Sequence, residues 1–264
     1  MTTPYDRYVR AGTLHALQDT VTDTETEASF LLVAQIQELY FGLIARELVV
    51  TRAHLRADDV AAATFALRRT AGHFAALNAS WQSLTWMTEE HFLPIKEGMT
   101  ARHGKSSSVQ SWKYRELAYL LGIRSPELAE PVSSMSDEHA RLVGLLDAPS
   151  VYDEALGLLN RRGFPVPAAA LARDTSVSHN FHPEAELIWA TLLGDKTSQL
   201  ELSALTDALL AVADGFVGYQ EQHLQATLRA FGNRPGYYGV PGSEWLAEQA
   251  RDAPFPDLYR AGHR

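Results

Sequence analysis

The spacing of the apolar residues constrains this sequence most: they recur at three- and four-residue steps over long stretches and almost nowhere in alternation. From Glu27 to Val50, Phe30, Val33, Ala34, Tyr40, Phe41, Ile44 and Leu48 share one wide helical face, with Gln37 as its polar break. A second stretch, Asp58 to Trp86, opens on the capping candidate Asp58 and runs through Val60, Phe65, Leu67, Phe74, Leu77, Trp81 and Leu84 without a proline. Antiparallel packing on the first is the simple expectation. A third helix is predicted from Val109 to Leu121, stopped by Gly122. Arg124 to Pro149 is mixed and turn-rich. Leu156 to Arg162 reads as a short helix, broken by Gly163, Pro165 and Pro167 before an alanine-rich turn. Pro183 to Leu193 and Leu200 to Phe231 complete the set, the last closed by Gly232. From Asn233 onward glycine, proline and aromatics predict irregular chain.

No run of alternating β-branched residues and no Asn-Gly hairpin signal is present. The prediction is therefore all-α, a helical bundle formed by one domain over residues 1–264, with functional loops near 98–108 and 233–246. The length suits one large or two small domains at about 150 residues each. Lys and Arg number 23 against 32 Asp and Glu, a net charge of -9, which argues against nucleic acid or an anionic membrane as the partner. Met1 to Tyr8 has no basic or apolar leader pattern, and no uninterrupted apolar run reaches the ~18 residues of a span. A cytoplasmic location is the expectation. The absence of cysteine excludes thiolate nucleophiles, thiolate-ligated haem and cysteine-held clusters. Any metal must be held by histidine or carboxylate.

There is no Walker loop, GxGxxG, HExxH or GxSxG, which leaves His, Arg, Tyr and Trp on helices. His223, in FVGYQEQHLQATLRAFG, is either a surface or packing histidine or the kind of lone helical imidazole that a bundle offers haem as axial ligand. Arg115, within a turn of Trp112 and Tyr114, is either a solvated helix arginine or a bidentate carboxylate clamp. His91 is either a helix-terminal histidine or, with a pKa near neutrality on a semi-exposed turn, a candidate general base. Tyr5 and Tyr8 lie one turn apart on an amphipathic N-terminal helix over about residues 5–18, where core or oligomer packing is the default.

Four elements together resemble the tryptophan 2,3-dioxygenase superfamily, the histidine-ligated, haem-dependent aromatic oxygenases. YDRYVRAGTLHALQ is similar to the family's YxxYLxxxxLLxLQ, and FLLVAQIQELYFGLIARELV to FIVQHQxxELWFKxIxxEL. SSSVQSWKYRELAYLLG is similar to SGFQSxQYRxxExxLG, and FVGYQEQHLQATLRAFGNR to FxxWRFRHxxxVxRxIGxK. They occur in the family's order from Tyr5 to about Leu246. The resemblance implies haem b in the helical core, with His223 as its axial ligand and Trp112 beside it. It implies that Arg115 holds the amino-acid carboxylate and that Phe30 lines the distal pocket. Tyr5 and Tyr8 would approach a neighbouring subunit's site in a homodimer or homotetramer.

Two departures carry information. Where the family has a distal histidine that meets the indole N–H, this sequence has Ala34. The GTGGT-like loop, whose threonine helps hold the substrate ammonium, is replaced by RPGYYGVPGSEWL. Together they point to a different ring. A branch that resembles the bacterial tyrosine hydroxylases of antibiotic pathways makes 3,4-dihydroxyphenylalanine with hydrogen peroxide, and phenol chemistry gains from a base beside the hydroxyl. The leading expectation is thus tyrosine 3-hydroxylation with His91 as the phenol partner. The alternatives are tryptophan oxygenation by dioxygen, either a 2,3-dioxygenase or a 2-oxindole-forming monooxygenase, and a non-catalytic haem-binding protein.

Overall fold

The computed structural model describes residues 3–105, 110–232, 234, 242–249 and 252–264. Among these, every regular element is helical. Pro4–Val9 (α1) and Ala11–His15 (α2) are followed by the long Glu27–Arg56 (α3) and Val60–Ser80 (α4), then Glu89–His103 (α5) and Trp112–Leu121 (α6). Ser136–Leu146 (α7), Val151–Arg161 (α8), Ala168–Leu171 (α9) and Pro183–Gly194 (α10) lead to Leu200–Phe231 (α11), Gly242–Gln249 (α12) and Pro256–Gly262 (α13). Short 3₁₀ turns occupy Trp81–Leu84 and Pro126–Val132.

Several boundaries moved for local reasons. Asp59, not Asp58, caps α4 by accepting the Ala62 N–H at 3.0 Å. Asp58 adopts a positive φ of 62° and faces Arg161 and Arg162 instead. The expected loop at 98–108 is helical to His103, and 242–246 belongs to α12. The remainder of both loops, 106–109 and 235–241, lies outside the described residues. The turn-rich stretch Arg124–Pro149 holds a 3₁₀ turn and α7, and the tail expected to be irregular holds α12 and α13. The N-terminal helix is two helices, broken where Arg10 turns to φ 59°, and neither buries a residue. The stop at Gly122 is as expected. With φ 91°, it lets the Ile123 N–H reach back to the Ala118 carbonyl at 3.0 Å.

Three helices make the core. α3 and α4 are antiparallel, as the pairs Glu47–Arg69, Tyr40–His73 and Gln37–Ser80 show. α11 runs parallel to α4: Phe74 meets Phe216, Asn78 Nδ2 donates to the Gly215 carbonyl at 3.0 Å, and Trp81 meets His223. α6 and α8 pack on α3, α5 and α12 on α11, and α10 on α11 and α13. α3 is long and apolar enough to cross a bilayer, but Phe41, Ile44, Leu48 and Leu55 are buried in the common core. The C-terminal α13 is tied in through Asp257, which accepts from Tyr152 Oη at 2.8 Å and from the His182 N–H at 2.6 Å.

The parallel pair meets most closely at Gly215, where a Cβ would lie 2.6 Å from the Phe74 Cβ. Replacing Gly215 by alanine improves helix propensity by up to ~1 kcal/mol but overpacks the contact at a cost of about 1–3 kcal/mol. Gly215→Ala is therefore expected to lose stability, by about 1–2 kcal/mol net, measured by urea unfolding. Unchanged stability would mean that the two helices are free to separate.

Candidate functional site

His223 lies on α11 one turn after Tyr219, so both rings point to the same side. Its imidazole stacks on Trp81, with centroids 5.3 Å apart and planes at 22°, and tilts against Tyr219 at 5.9 Å. Burial of the ring holds its pKa down to about 4, so it is neutral at physiological pH. No hydrogen bond reaches it from the described residues. A neutral imidazole with one nitrogen free to bind is what a metal ligand requires.

Arg115 follows from the cap of α6, where Ser111 Oγ accepts the Tyr114 N–H at 3.1 Å. The residue is 1% exposed. Its guanidinium lies between two rings, 5.5 Å from the centroid of Tyr114 and 5.4 Å from that of Trp245 on α12. Nε has no hydrogen-bond partner, and no carboxylate among the described residues pairs with it. The neighbouring buried Glu116 is committed to Lys113 at 2.7 Å and Arg141 at 2.5 Å. Burial lowers the Arg115 pKa, against opposing contributions from Tyr114 and Tyr119, yet an arginine remains a cation at any ordinary pH. A desolvated charge without a counterion is costly. Such a group is stabilised by an anionic ligand.

Aromatic packing joins the two residues. Tyr114 lies parallel to Phe216 at 6.0 Å, meets Phe41 edge-on at 5.5 Å and reaches Tyr219 at 5.7 Å. Tyr219 in turn touches Trp81 and His223. Phe30 packs on Phe92 at 5.5 Å within the small cluster of Val33, Leu84, Met87 and Ile95, against which Trp81 also rests. Phe30 and the Trp81 indole thus border the same small cluster, and His223 stacks on that indole.

Other predicted residues stand apart. Trp112 packs in the satellite cluster of Tyr119, Leu142 and Leu146, under the Lys113 ammonium at 4.0 Å, and not with His223. Tyr5 and Tyr8 are 70% and 91% exposed and touch no site residue of their own chain. His91 stacks edge-on to Trp86 at 5.4 Å and closes the capping box of α5. Its Nδ1 accepts the Thr88 backbone N–H at 3.3 Å. The Thr88 hydroxyl lies 2.8 Å from the same Nδ1, so this edge of the ring is committed to the helix cap.

The arrangement offers one neutral nitrogen ligand, apolar and aromatic walls, and an isolated buried guanidinium. The chemistry of that donor set suits a haem: His223 would hold the iron, with the Phe30 and Phe92 rings as apolar wall. Tyr219 was within reach of sequence reasoning, since it precedes His223 by one turn. Trp81 and Trp245 were not, because nothing local ties either to His223 or Arg115.

A family model described as tryptophan 2,3-dioxygenase matches residues 1–134. The chain is 31% identical over 255 residues to the tryptophan 2,3-dioxygenase of Caulobacter vibrioides, covering 97% of this chain and 95% of the relative. It is 31% identical over 257 residues to that of Saccharopolyspora erythraea, covering 97% and 90%, and 28% identical over 256 residues to that of Pseudomonas fluorescens, covering 97% and 89%.

The low folded pKa of His223 has a measurable sign. Between its ordinary 6.5 and about 4, the unfolded chain binds a proton that the folded chain refuses. Stability from this group is full above the unfolded value and is lost as pH falls through that window. The cofactor-free protein should therefore lose unfolding free energy between pH 7 and 4 more steeply than His223→Gln, by urea titration at several pH values. Parallel curves would show that the imidazole is not desolvated.

Proposed function

Because the chain belongs to the tryptophan 2,3-dioxygenase family, and is with it a haem b-dependent oxidoreductase acting on an aromatic amino acid, we propose that it oxygenates the indole ring of free L-tryptophan with dioxygen. The observation that carries the substrate class is the buried, unpaired Arg115. A free amino acid brings the carboxylate that it lacks, and two parallel N–H···O bonds would fix the ring end in place. Tyr114 and Trp245 hold the guanidinium plane for that contact. Bound haem supplies the iron that activates the oxidant, and neutral His223 would hold that iron. A non-catalytic haem-binding protein has no use for a desolvated guanidinium of this kind.

The competing reading, tyrosine 3-hydroxylation with peroxide, rests on the same departures at Ala34 and in RPGYYGVPGSEWL and needs a base near the phenol. His91, whose Nδ1 is committed to the cap of α5 and whose ring packs on Trp86, is poorly suited to that step. The exposure of Tyr5 and Tyr8 supports their completing the site of a neighbouring protomer in a homo-oligomer.

Product mass decides the reaction. Haem-loaded protein given tryptophan, dioxygen and reductant should yield a product of +32 if both oxygen atoms are kept, or +16 if one is kept and the reductant supplies two electrons. Turnover of tyrosine with peroxide to +16, with tryptophan untouched, would overturn the proposal. Arg115→Lys keeps the charge but loses the planar fork. It should raise KM for the amino acid by roughly tenfold or more, about 1.4 kcal/mol or above in charge-assisted hydrogen bonding, with a smaller effect on kcat. Equal KM values would remove Arg115 from the site.

A further inference from the structure

Trp81 is where the two apolar clusters of the molecule meet. It ends α4 and begins the 3₁₀ turn Trp81–Leu84. It packs on the main core and also on the cluster of Val33, Leu84, Met87 and Ile95 that holds Phe30 and Phe92. One face of its indole lies nearly flat on His223, at 5.3 Å and 22°, and Tyr219 sits at 5.9 Å and 40°.

Two further observations separate this residue from ordinary core packing. First, the torsion that turns a histidine ring about its Cβ–Cγ bond is soft and roughly two-fold. Ligand histidines are ordinarily locked by a hydrogen bond at the second nitrogen, but no described residue hydrogen-bonds His223. The aromatic contacts are what remain to set its plane. Second, the indole Nε1–H of Trp81 is buried without an acceptor among the described residues. An unmade hydrogen bond of this kind leaves a desolvation cost uncompensated, which a phenylalanine at the same position would avoid. Filling space therefore does not account for the indole.

We infer that Trp81 is the positioning residue for His223: its indole face fixes the plane in which the imidazole presents its nitrogen to the haem iron, in place of a hydrogen bond. This rests on the reading of His223 as the axial ligand. Trp81 acts through His223 and takes no part in the chemistry.

The test uses the full-length chain loaded with haem, and it reads the iron–histidine bond directly. In Trp81→Leu, the iron–histidine stretching band of the ferrous protein, by resonance Raman, should shift or broaden. Haem should transfer to apomyoglobin about tenfold faster or more, the range expected when an outer-shell partner of a ligand is lost. Trp81→Phe keeps part of the stacking face and should give a band between wild type and the leucine variant. If Trp81→Leu does not fold, as judged by far-ultraviolet circular dichroism, Trp81→Phe carries the test alone. A band and a transfer rate identical to wild type in the folded variant would overturn the inference. His223→Ala keeps the two failures apart. If it loses haem while both Trp81 variants match wild type, the inference alone fails; if it retains haem with an unchanged spectrum, the axial-ligand reading fails as well.

Discussion

The close parallel approach of α4 and α11 is the contact on which the site depends. Gly215 presents no side chain to Phe74, and Asn78 donates across the gap to the Gly215 carbonyl. The backbones can therefore come near enough for the ends of the helices to share one aromatic cluster. Each step along the pair keeps register, Phe74 with Gly215, Asn78 with Gly218 and Trp81 with His223. Two parallel helices cannot be joined by a tight turn. The chain between them supplies α5 to α10, including the helix that bears Arg115.

The polar chemistry of the site depends on what the core withholds. Two groups, the His223 imidazole and the Arg115 guanidinium, are placed among aromatic rings, and among the described residues His223 has no hydrogen-bond partner and Arg115 no carboxylate. Desolvation acts on them differently. It keeps the imidazole neutral, which suits a metal ligand, while the guanidinium stays charged and is left in need of an anion. A metal and a carboxylate would satisfy both deficits.

His91 shows how a local bond can decide a chemical role. Its sequence neighbourhood suits a helix start as well as a general base. The Thr88 backbone N–H and hydroxyl both meet Nδ1, which ties that edge of the ring to the start of α5. Trp112, expected beside the cofactor, was claimed by the α6–α7 cluster because its side chain leaves α6 on the side of Tyr119 and Leu142.

Much of this protein was legible from its residues. Helix periodicity gave α3, α4 and α11, the Gly122 stop was read correctly, and the ordered motifs singled out His223 and Arg115 together with the family. These signals are local: a helix face is written within a few residues, and a cap within one turn. Break points such as Arg10 and the Asp58–Asp59 cap were missed because competing side-chain hydrogen bonds choose between near-equal local options. The pairings of Trp81 with His223 and of Trp245 with Arg115 were beyond sequence reasoning. They join residues on different helices, as does the Asn78–Gly215 bond across 137 residues. Only packing in three dimensions decides which aromatic ring comes to rest on which charge.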